Sequence, residues 1–214
     1  AAMSAADRKA AALEQLDDLV QQGLVAKGSI YADEENGMVS FSYSCGALGG
    51  ILLAADEVGL TGLWFDGEKY FADTLDPEHK AQETPILREA KRWLDGYFRG
   101  QEPDFTPPLH PIGSPFRQEV WALLLQIPYG QTTTYGALAK QLAEINGGKR
   151  VSAQAVGGAV GHNPISLMIP CHRVVGTNGS LTGYGGGIQR KKALLELECA
   201  DMHGLFVPKK GTAL

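Results

Sequence analysis

Nowhere in this sequence is there an apolar run long enough to cross a bilayer, and the N-terminal segment carries Asp7, Arg8 and Lys9 among its alanines in place of a secretory hydrophobic core. Both absences lead to an expected cytoplasmic location and no membrane partner. Cysteine is scarce too. Its three occurrences, Cys45, Cys171 and Cys199, are odd in number and lack paired spacing, which excludes a disulfide framework. Cys45, His79 and His110 do not form a ligand cluster by spacing, so no zinc is expected. Cys45 and Cys199 read as small hydrophobes. An overall basic excess is missing as well: the formal net charge is −5, which for the chain as a whole argues against nucleic acid.

The charge is unevenly spread, however. Residues 1–110 hold nine Lys and Arg against nineteen Asp and Glu, whereas residues 111–200 hold eight against four. That is the pattern expected if only the second half meets phosphates, with ordinary surface charge as the plainer alternative. With 214 residues, 44% hydrophobic and 20% charged, the chain suits one or two compact domains with real cores.

Residues 4–22 read as a helix with Leu13, Leu16 and Val20 on one stripe, and Gly23 to Gly37 as a connector. Met38 to Tyr43 alternates as a strand, and Gly50 to Ala55 and Leu60 to Phe65 add two apolar runs joined by an Asp56-Glu57 turn, together an antiparallel meander. Thr84-Pro85 starts a helix with Ile86, Ala90, Trp93, Leu94 and Tyr97 as its apolar stripe. This half shows no constellation of titratable groups and reads as structural. Five prolines and glycines within residues 101–114 mark a linker. Ser114-Pro115 then opens a helix ending at Pro128. Two short helices follow, Tyr135 to Glu144 and Ser152 to Gly161, separated by Asn146-Gly147-Gly148, a helix-turn-helix pattern. The second is nearly bare of side chains (Ala153, Ala155, Gly157, Gly158, Ala159), which suits close approach to another element or to a DNA groove. Lys149 and Arg150 stand at its entrance, placed for phosphates.

The chemistry concentrates in Ile169-Pro170-Cys171-His172-Arg173-Val174-Val175, preceded by Asn163-Pro164 and followed by Gly183-Tyr184-Gly185-Gly186-Gly187. A nucleophilic thiol needs a proton acceptor, and His172 supplies one, through a water because adjacent side chains rarely bond directly. A buried cysteine beside a solvated histidine is the bland alternative. The last helix, Gln189 to Glu198, is basic at its start and acidic at its end, against the helix dipole. Glu198 therefore needs another partner, and His172 is the natural one.

Together, Ile127-Pro128-Tyr129-Gly130, Thr134-Tyr135, Ala155-Val156-Gly157-Gly158-Ala159, Asn163-Pro164, Ile169 to Val175 and Leu194 to Glu198 resemble the O6-alkylguanine-DNA alkyltransferases, over about Phe116 to Glu198. The resemblance implies an α+β fold, with a small ribonuclease-H-like antiparallel sheet and helix first and a helical, winged-helix-like DNA-binding domain second. The expected division is an extension over 1–27, a structural domain with its linker over 28–110, the alkyltransferase domain over 111–200 and a tail over 201–214. It implies DNA repair: irreversible, single-turnover transfer of an alkyl group from O6 of a flipped guanine in duplex DNA to Cys171, with no cofactor and a monomeric protein. Alkylated thymine stays open as a second substrate. By resemblance His172 is the base, Glu198 orients it, and Tyr135 donates a proton to guanine N3. Asn163 ties the recognition helix to the active-site turn. Tyr184 and Gly185 close over the base, and the carbonyls of Cys171 and Val174 accept from its exocyclic amine. Ser152, Ala153 and Gln154 join Lys149 and Arg150 at the DNA. Gln154 is a departure, since family members often place an arginine there to fill the gap left by the flipped base.

Two other classes of function compete. A non-catalytic sensor of alkylated bases would lack the nucleophile, which Cys171 supplies. A cysteine hydrolase would take its base from a distant position and need an oxyanion hole.

Overall fold

A computed structural model describes residues 30–32, 41–43, 48–76 and 83–209. The expected N-terminal helix, Cys45 and His79 lie outside these residues. The structure is α+β. Strand β1 (Ile30–Ala32) pairs antiparallel with β2 (Phe41–Tyr43), and β3 (Ile51–Ala55) pairs antiparallel with β4 (Leu60–Phe65). The expected connector thus contains a strand, too short to show a period in sequence. Among the described residues β2 pairs with β1 and β3 with β4, in place of the expected meander of β2, β3 and β4. Asp56 makes the β3–β4 turn, its Oδ1 accepting from the amides of Val58 and Gly59, both at 2.9 Å.

Five α-helices follow among the described residues: α1 (Pro85–Tyr97), α2 (Pro115–Leu124), α3 (Tyr135–Ile145), α4 (Ala153–Gly161) and α5 (Ile188–Leu197). The first four start on capping hydroxyls. Thr84, Ser114, Thr134 and Ser152 accept from the amides of Leu87, Arg117, Ala137 and Ala155, and proline follows the first two at the position where a missing N–H costs nothing. Each helix buries one stripe. Val120, Leu124, Leu138, Leu142, Val156 and Val160 meet Leu53, Leu63, Leu94 and Tyr97 from the first half in a single apolar core.

What joins the halves is the outer edge of β4. Leu60 N donates to Pro108 O at 2.7 Å and His110 N to Leu60 O at 2.8 Å, laying the proline-rich stretch along one end. Leu63 N donates to Pro164 O and Ser166 N to Leu63 O, both at 2.9 Å, laying the segment after α4 along the other. An edge strand that would otherwise expose unpaired amides is thereby covered, and the chain ahead of Cys171 is anchored to the sheet.

Candidate active site

Cys171–Arg173 forms a single 3₁₀ turn that runs into β6 (Val174–Val175). Strand β6 pairs in parallel with β5 (Thr133–Thr134), and Tyr135 begins α3 immediately afterwards. Two bonded residue pairs therefore bring Tyr135 alongside the cysteine turn. The approach to Cys171 is tightly wound: Leu167, fully enclosed, holds φ at 70°, an uncommon conformation for a non-glycine residue.

Asn163, the second residue after α4, spans this approach. Its Nδ2 donates to Ile169 O at 2.7 Å and to Cys171 Sγ at 3.1 Å, and its Oδ1 accepts from Ile165 N at 3.0 Å. It touches the sulfur directly, as well as tying α4 to the turn. Burial nevertheless dominates at Cys171 and pushes its thiol up to about 11, only partly countered by the Asn163 bond.

Behind the cysteine lies a closed ionic network. His172 and Glu198 are both fully enclosed, and His172 Nε2 meets Glu198 Oε1 at 2.6 Å. Arg173 grips the same carboxylate in a fork, Nε to Oε2 at 2.8 Å and Nη2 to Oε1 at 3.0 Å. Tyr97 OH donates to Oε1 at 2.7 Å, and Gly130 N donates to Oε2 at 3.2 Å. Burial alone would raise Glu198, but His172 and the Arg173 guanidinium outweigh it and hold the carboxyl far below the ordinary range. Burial lowers His172, so at neutral pH the ring is uncharged. With Nε2 committed to Glu198, Nδ1 is the ring atom with no hydrogen-bond partner among the described residues, and it is buried.

The Ile127-Pro128-Tyr129-Gly130 stretch has a physical role in this network. Ile127 O accepts from Arg173 Nη1 at 2.6 Å, the Tyr129 ring lies 5.6 Å from the guanidinium carbon, and Gly130 supplies its amide. Gly130 sits at φ +70°, and a Cβ there would lie 2.7 Å from Glu198 O, so no side chain fits.

Tyr135 donates to Gly183 O at 3.0 Å and more weakly to Thr182 O at 3.3 Å. Lys191, on α5, is wholly buried and donates to Thr182 O at 2.9 Å and to Val174 O. Burial brings its ammonium down to about 8, and Cys171 counters by favouring the charged form. Both carbonyls expected to receive a guanine amine already accept one bond, Cys171 O from Val174 N and Val174 O from Lys191, leaving one lone pair each.

The cysteine opens into a pocket lined by Trp64, Glu68, Tyr70, Val160, Asn163, Ser166, Tyr184 and Gly185. Tyr184 is buried against it and Gly185 O accepts from Lys69 N at 3.2 Å, so the glycine-rich loop rests on the turn after β4. Arg190 fastens the same loop, donating to Gly186 O at 2.6 Å, Leu48 O at 2.8 Å and Asp66 O at 3.2 Å.

The remaining expected residues cluster at the start of α4: Lys149 and Arg150 just before it, Ser152 at its cap, and Ala153 and Gln154 in its first turn. Lys149, Arg150, Ser152, Ala153 and Gln154 are exposed, with the Ser152 hydroxyl occupied as the cap. A Cβ added at Gly158 would meet nothing, so that glycine leaves bare surface outside, whereas Val156, Ala159 and Val160 pack inward and Ala159 O accepts from Trp121 Nε1 at 2.9 Å. Val160 and Gly161 line the cysteine pocket. At 1.5 Å per residue, Gln154 stands about 10 Å along the axis from Gly161.

Sequence reading missed Tyr97, Arg173, Lys191 and Glu68. A tyrosine ending an apolar stripe was the available signal for Tyr97, since a buried hydroxyl needs an acceptor. Arg173 stands in the Cys171 motif with no role of its own legible from sequence, and Lys191 reads as one more surface cation. Nothing local marks Glu68. The first half is thus part of the site. Among the described residues no group of three or more His, Cys, Asp and Glu is arranged to hold a metal ion, and His110 Nδ1 pairs with Asp56 Oδ2 at 2.6 Å.

Comparison with known proteins gives two family matches: the DNA-binding domain of 6-O-methylguanine DNA methyltransferase over residues 115–200, and its ribonuclease-like domain over residues 42–111. A methylated-DNA–protein-cysteine methyltransferase from Haemophilus influenzae is 41% identical over 160 residues, 74% of this chain and 85% of that protein. One from Mycobacterium bovis is 43% identical over 153 residues, 71% of this chain and 87% of that one. The crystal structure of Mycobacterium tuberculosis OGT in complex with DNA aligns with a TM-score of 0.60 at 41% identity, covering 72% of this chain and 89% of the other.

Proposed function

The chain belongs to the 6-O-methylguanine DNA methyltransferase family, and on that premise we propose how its residues carry the reaction. The activity is that of a methylated-DNA–protein-cysteine methyltransferase, which repairs DNA by moving an alkyl group from O6 of guanine to a cysteine of the protein. Cys171 is the nucleophile. Its Sγ proton passes through one water to Nδ1 of neutral His172, and the Glu198 carboxylate at Nε2 stabilises the imidazolium. Sulfur attacks the alkyl carbon: the S–C bond forms, the C–O6 bond breaks and its electron pair leaves with guanine. Tyr135 protonates N3 of the departing base and recovers its proton from His172 through solvent. The thiol proton thus ends on guanine, and the thioether cannot turn over.

The observation that carries this reading is a cysteine at a pocket, its Sγ held by Asn163 at 3.1 Å, next in the chain to a buried, carboxylate-bound histidine whose other nitrogen has no partner among the described residues. With burial holding it near 11, the resting thiol reacts slowly until a substrate enters. The base has to leave the duplex to reach it, at a cost of a few kcal/mol. The bare face of α4 enters the minor groove, with Gln154 filling the gap and hydrogen-bonding the orphaned partner. Ser152 and Ala153 contact the backbone there, and Lys149 and Arg150 meet phosphates. Asn163 holds Sγ toward the pocket, Tyr184 and Gly185 cover the base, and the free lone pairs of Cys171 O and Val174 O accept its amine. In this reading the first half (28–110) is a ribonuclease-H-like scaffold, the second (111–200) a winged-helix-like domain, and the protein works in the cytoplasm without a cofactor.

The test is intact mass before and after incubation with a duplex carrying one O6-methylguanine, followed by peptide mapping. One methyl on the Cys171 peptide, stopping at one equivalent, is expected. Cys171→Ala should bind the duplex and gain nothing, and methylation of that variant would refute the assignment.

A further inference from the structure

The pocket around Cys171 has one wall that the transfer chemistry leaves unused. The turn after β4 brings Glu68 and Tyr70 into it, beside Trp64 of β4 itself. Glu68 Oε1 accepts from Ser166 Oγ at 2.7 Å and Oε2 accepts from Phe65 N at 3.1 Å, which fixes the carboxyl in place. The glycine-rich loop closes over it so closely that a Cβ on Gly186 would lie 3.2 Å from Oε1. Nothing in the proposed proton path involves Glu68, yet a carboxyl is retained where an apolar residue would be cheaper to bury.

We propose that Glu68 is a selectivity-determining residue of the alkyl pocket: with Ser166 it forms a polar wall beside Cys171 that admits neutral alkyl groups and excludes anionic ones. This deepens the alkyltransferase reading and rests on it. The geometry of attack gives the reason. Sulfur, carbon and O6 lie in line, so any substituent on the reacting carbon projects sideways into the pocket walls. A methyl group reaches none of them with charge. A carboxymethyl group presents a second carboxylate to Glu68, and two carboxylates so close cannot both stay ionised without a large repulsion.

Glu68 must then take up a proton before an anionic group can enter. Burial raises its carboxyl to about 7, against bonds from Ser166 and Phe65 N and the charge of Arg190. The protonated fraction therefore falls about tenfold between pH 6 and pH 8. The titratable groups around it are Arg190 from α5, Cys171 and Tyr184 along the pocket, Tyr70, and His162 stacked on Tyr70 at 4.0 Å. Lys191, near Cys171, also titrates in this range. A comparison with Glu68→Gln separates Glu68 from these.

The experiment measures single-turnover transfer to Cys171 by intact mass, from duplexes carrying O6-methylguanine or O6-carboxymethylguanine, between pH 6 and 8. Taking the ratio of the two rates cancels the titration of the thiol. In the wild-type protein the methyl-to-carboxymethyl ratio is expected to rise about tenfold from pH 6 to pH 8, as the protonated fraction falls. Glu68→Gln should give a ratio at least tenfold smaller at pH 8 and flat with pH. Ser166→Ala, which removes a bond that lowers the carboxyl, should move the midpoint of the wild-type profile upward. A wild-type ratio independent of pH, or a Glu68→Gln profile that follows the wild type, would overturn the proposal. Because the pH series uses the unaltered protein, a variant that fails to fold leaves it decidable. Absence of methyl transfer from the methyl duplex would instead overturn the alkyltransferase reading and take this proposal with it.

Discussion

The resting state of Cys171 leads to a prediction about its reactivity without DNA. Burial moves its thiol from 9.0 to about 11, so at pH 7 the thiolate population is about a hundredfold below that of an ordinary cysteine. A more basic thiolate is a better nucleophile, and with a Brønsted coefficient of about 0.4–0.5 the two-unit rise returns a factor of about 6–10. Population wins: Cys171 should react with iodoacetamide roughly tenfold more slowly than a free thiol at pH 7, before its small exposure slows it further. The assay is carboxamidomethylation from pH 7 to 10, read on the Cys171 peptide so that Cys45 and Cys199 do not contribute, with a short cysteine peptide blocked at both ends as reference. The rate should still be climbing about tenfold per pH unit at pH 9.5, where the reference has levelled off. A plateau for Cys171 below pH 8.5 would mean that the free protein already holds a thiolate, and a rate equal to the reference at pH 7 would mean that burial does not raise the thiol. Activation by the arriving substrate would then be wrong.

Tyr97→Phe removes one hydrogen bond to an ionised acceptor while keeping the ring, and should lower unfolding stability in urea by about 1.5–3 kcal/mol; a loss under 0.5 kcal/mol would show that the bond is not formed. Glu198, whose folded carboxyl lies below its ordinary 4.5, contributes stability that is complete at neutral pH and shrinks as pH falls below that value, which acid titration of the urea midpoint would show. Gly130→Ala forces a side chain into a left-handed backbone and toward Glu198 O, costing at least about 1 kcal/mol from the backbone alone, measurable as a lowered melting temperature. Lys149→Ala and Arg150→Ala should weaken binding to all duplexes alike and each reduce the slope of log K against log salt by about 0.9; a sequence-selective loss would contradict phosphate contact.

How much of this was legible in the sequence depends on how far each signal travels along the chain. Capping hydroxyls followed by proline act within a few residues, and Thr84 and Ser114 start helices where the Thr-Pro and Ser-Pro pairs predict. The acidic end of α5 was legible for the same reason: a carboxylate against the dipole needs a partner, and His172 is one of the partners it has. What stayed hidden is everything that one half of the chain gives the other. Tyr97 and Glu198 are 101 residues apart, and Glu68 and Ser166 are 98 apart. No periodicity or spacing rule reaches that far. The edge of β4 makes those contacts possible, because it carries the segment ahead of Cys171 as though it were a further strand.

That edge also changes what the first half is for. A purely structural domain could be exchanged for any scaffold of the right shape. Here its sheet positions the approach to the nucleophile, its helix α1 supplies a donor to the carboxylate behind the histidine, and its turn supplies a wall of the pocket. Because Glu198 takes bonds from Tyr97 of the first half and from Gly130, His172 and Arg173 of the second at once, a shift between the halves would reach the imidazole directly. Substitutions along the β4 edge, such as at Leu60 or Leu63, should therefore slow alkyl transfer more than they weaken DNA binding. Single-turnover rates at saturating duplex, compared with affinities of the same variants, would reveal that order, and equal losses in both would show that the halves act independently.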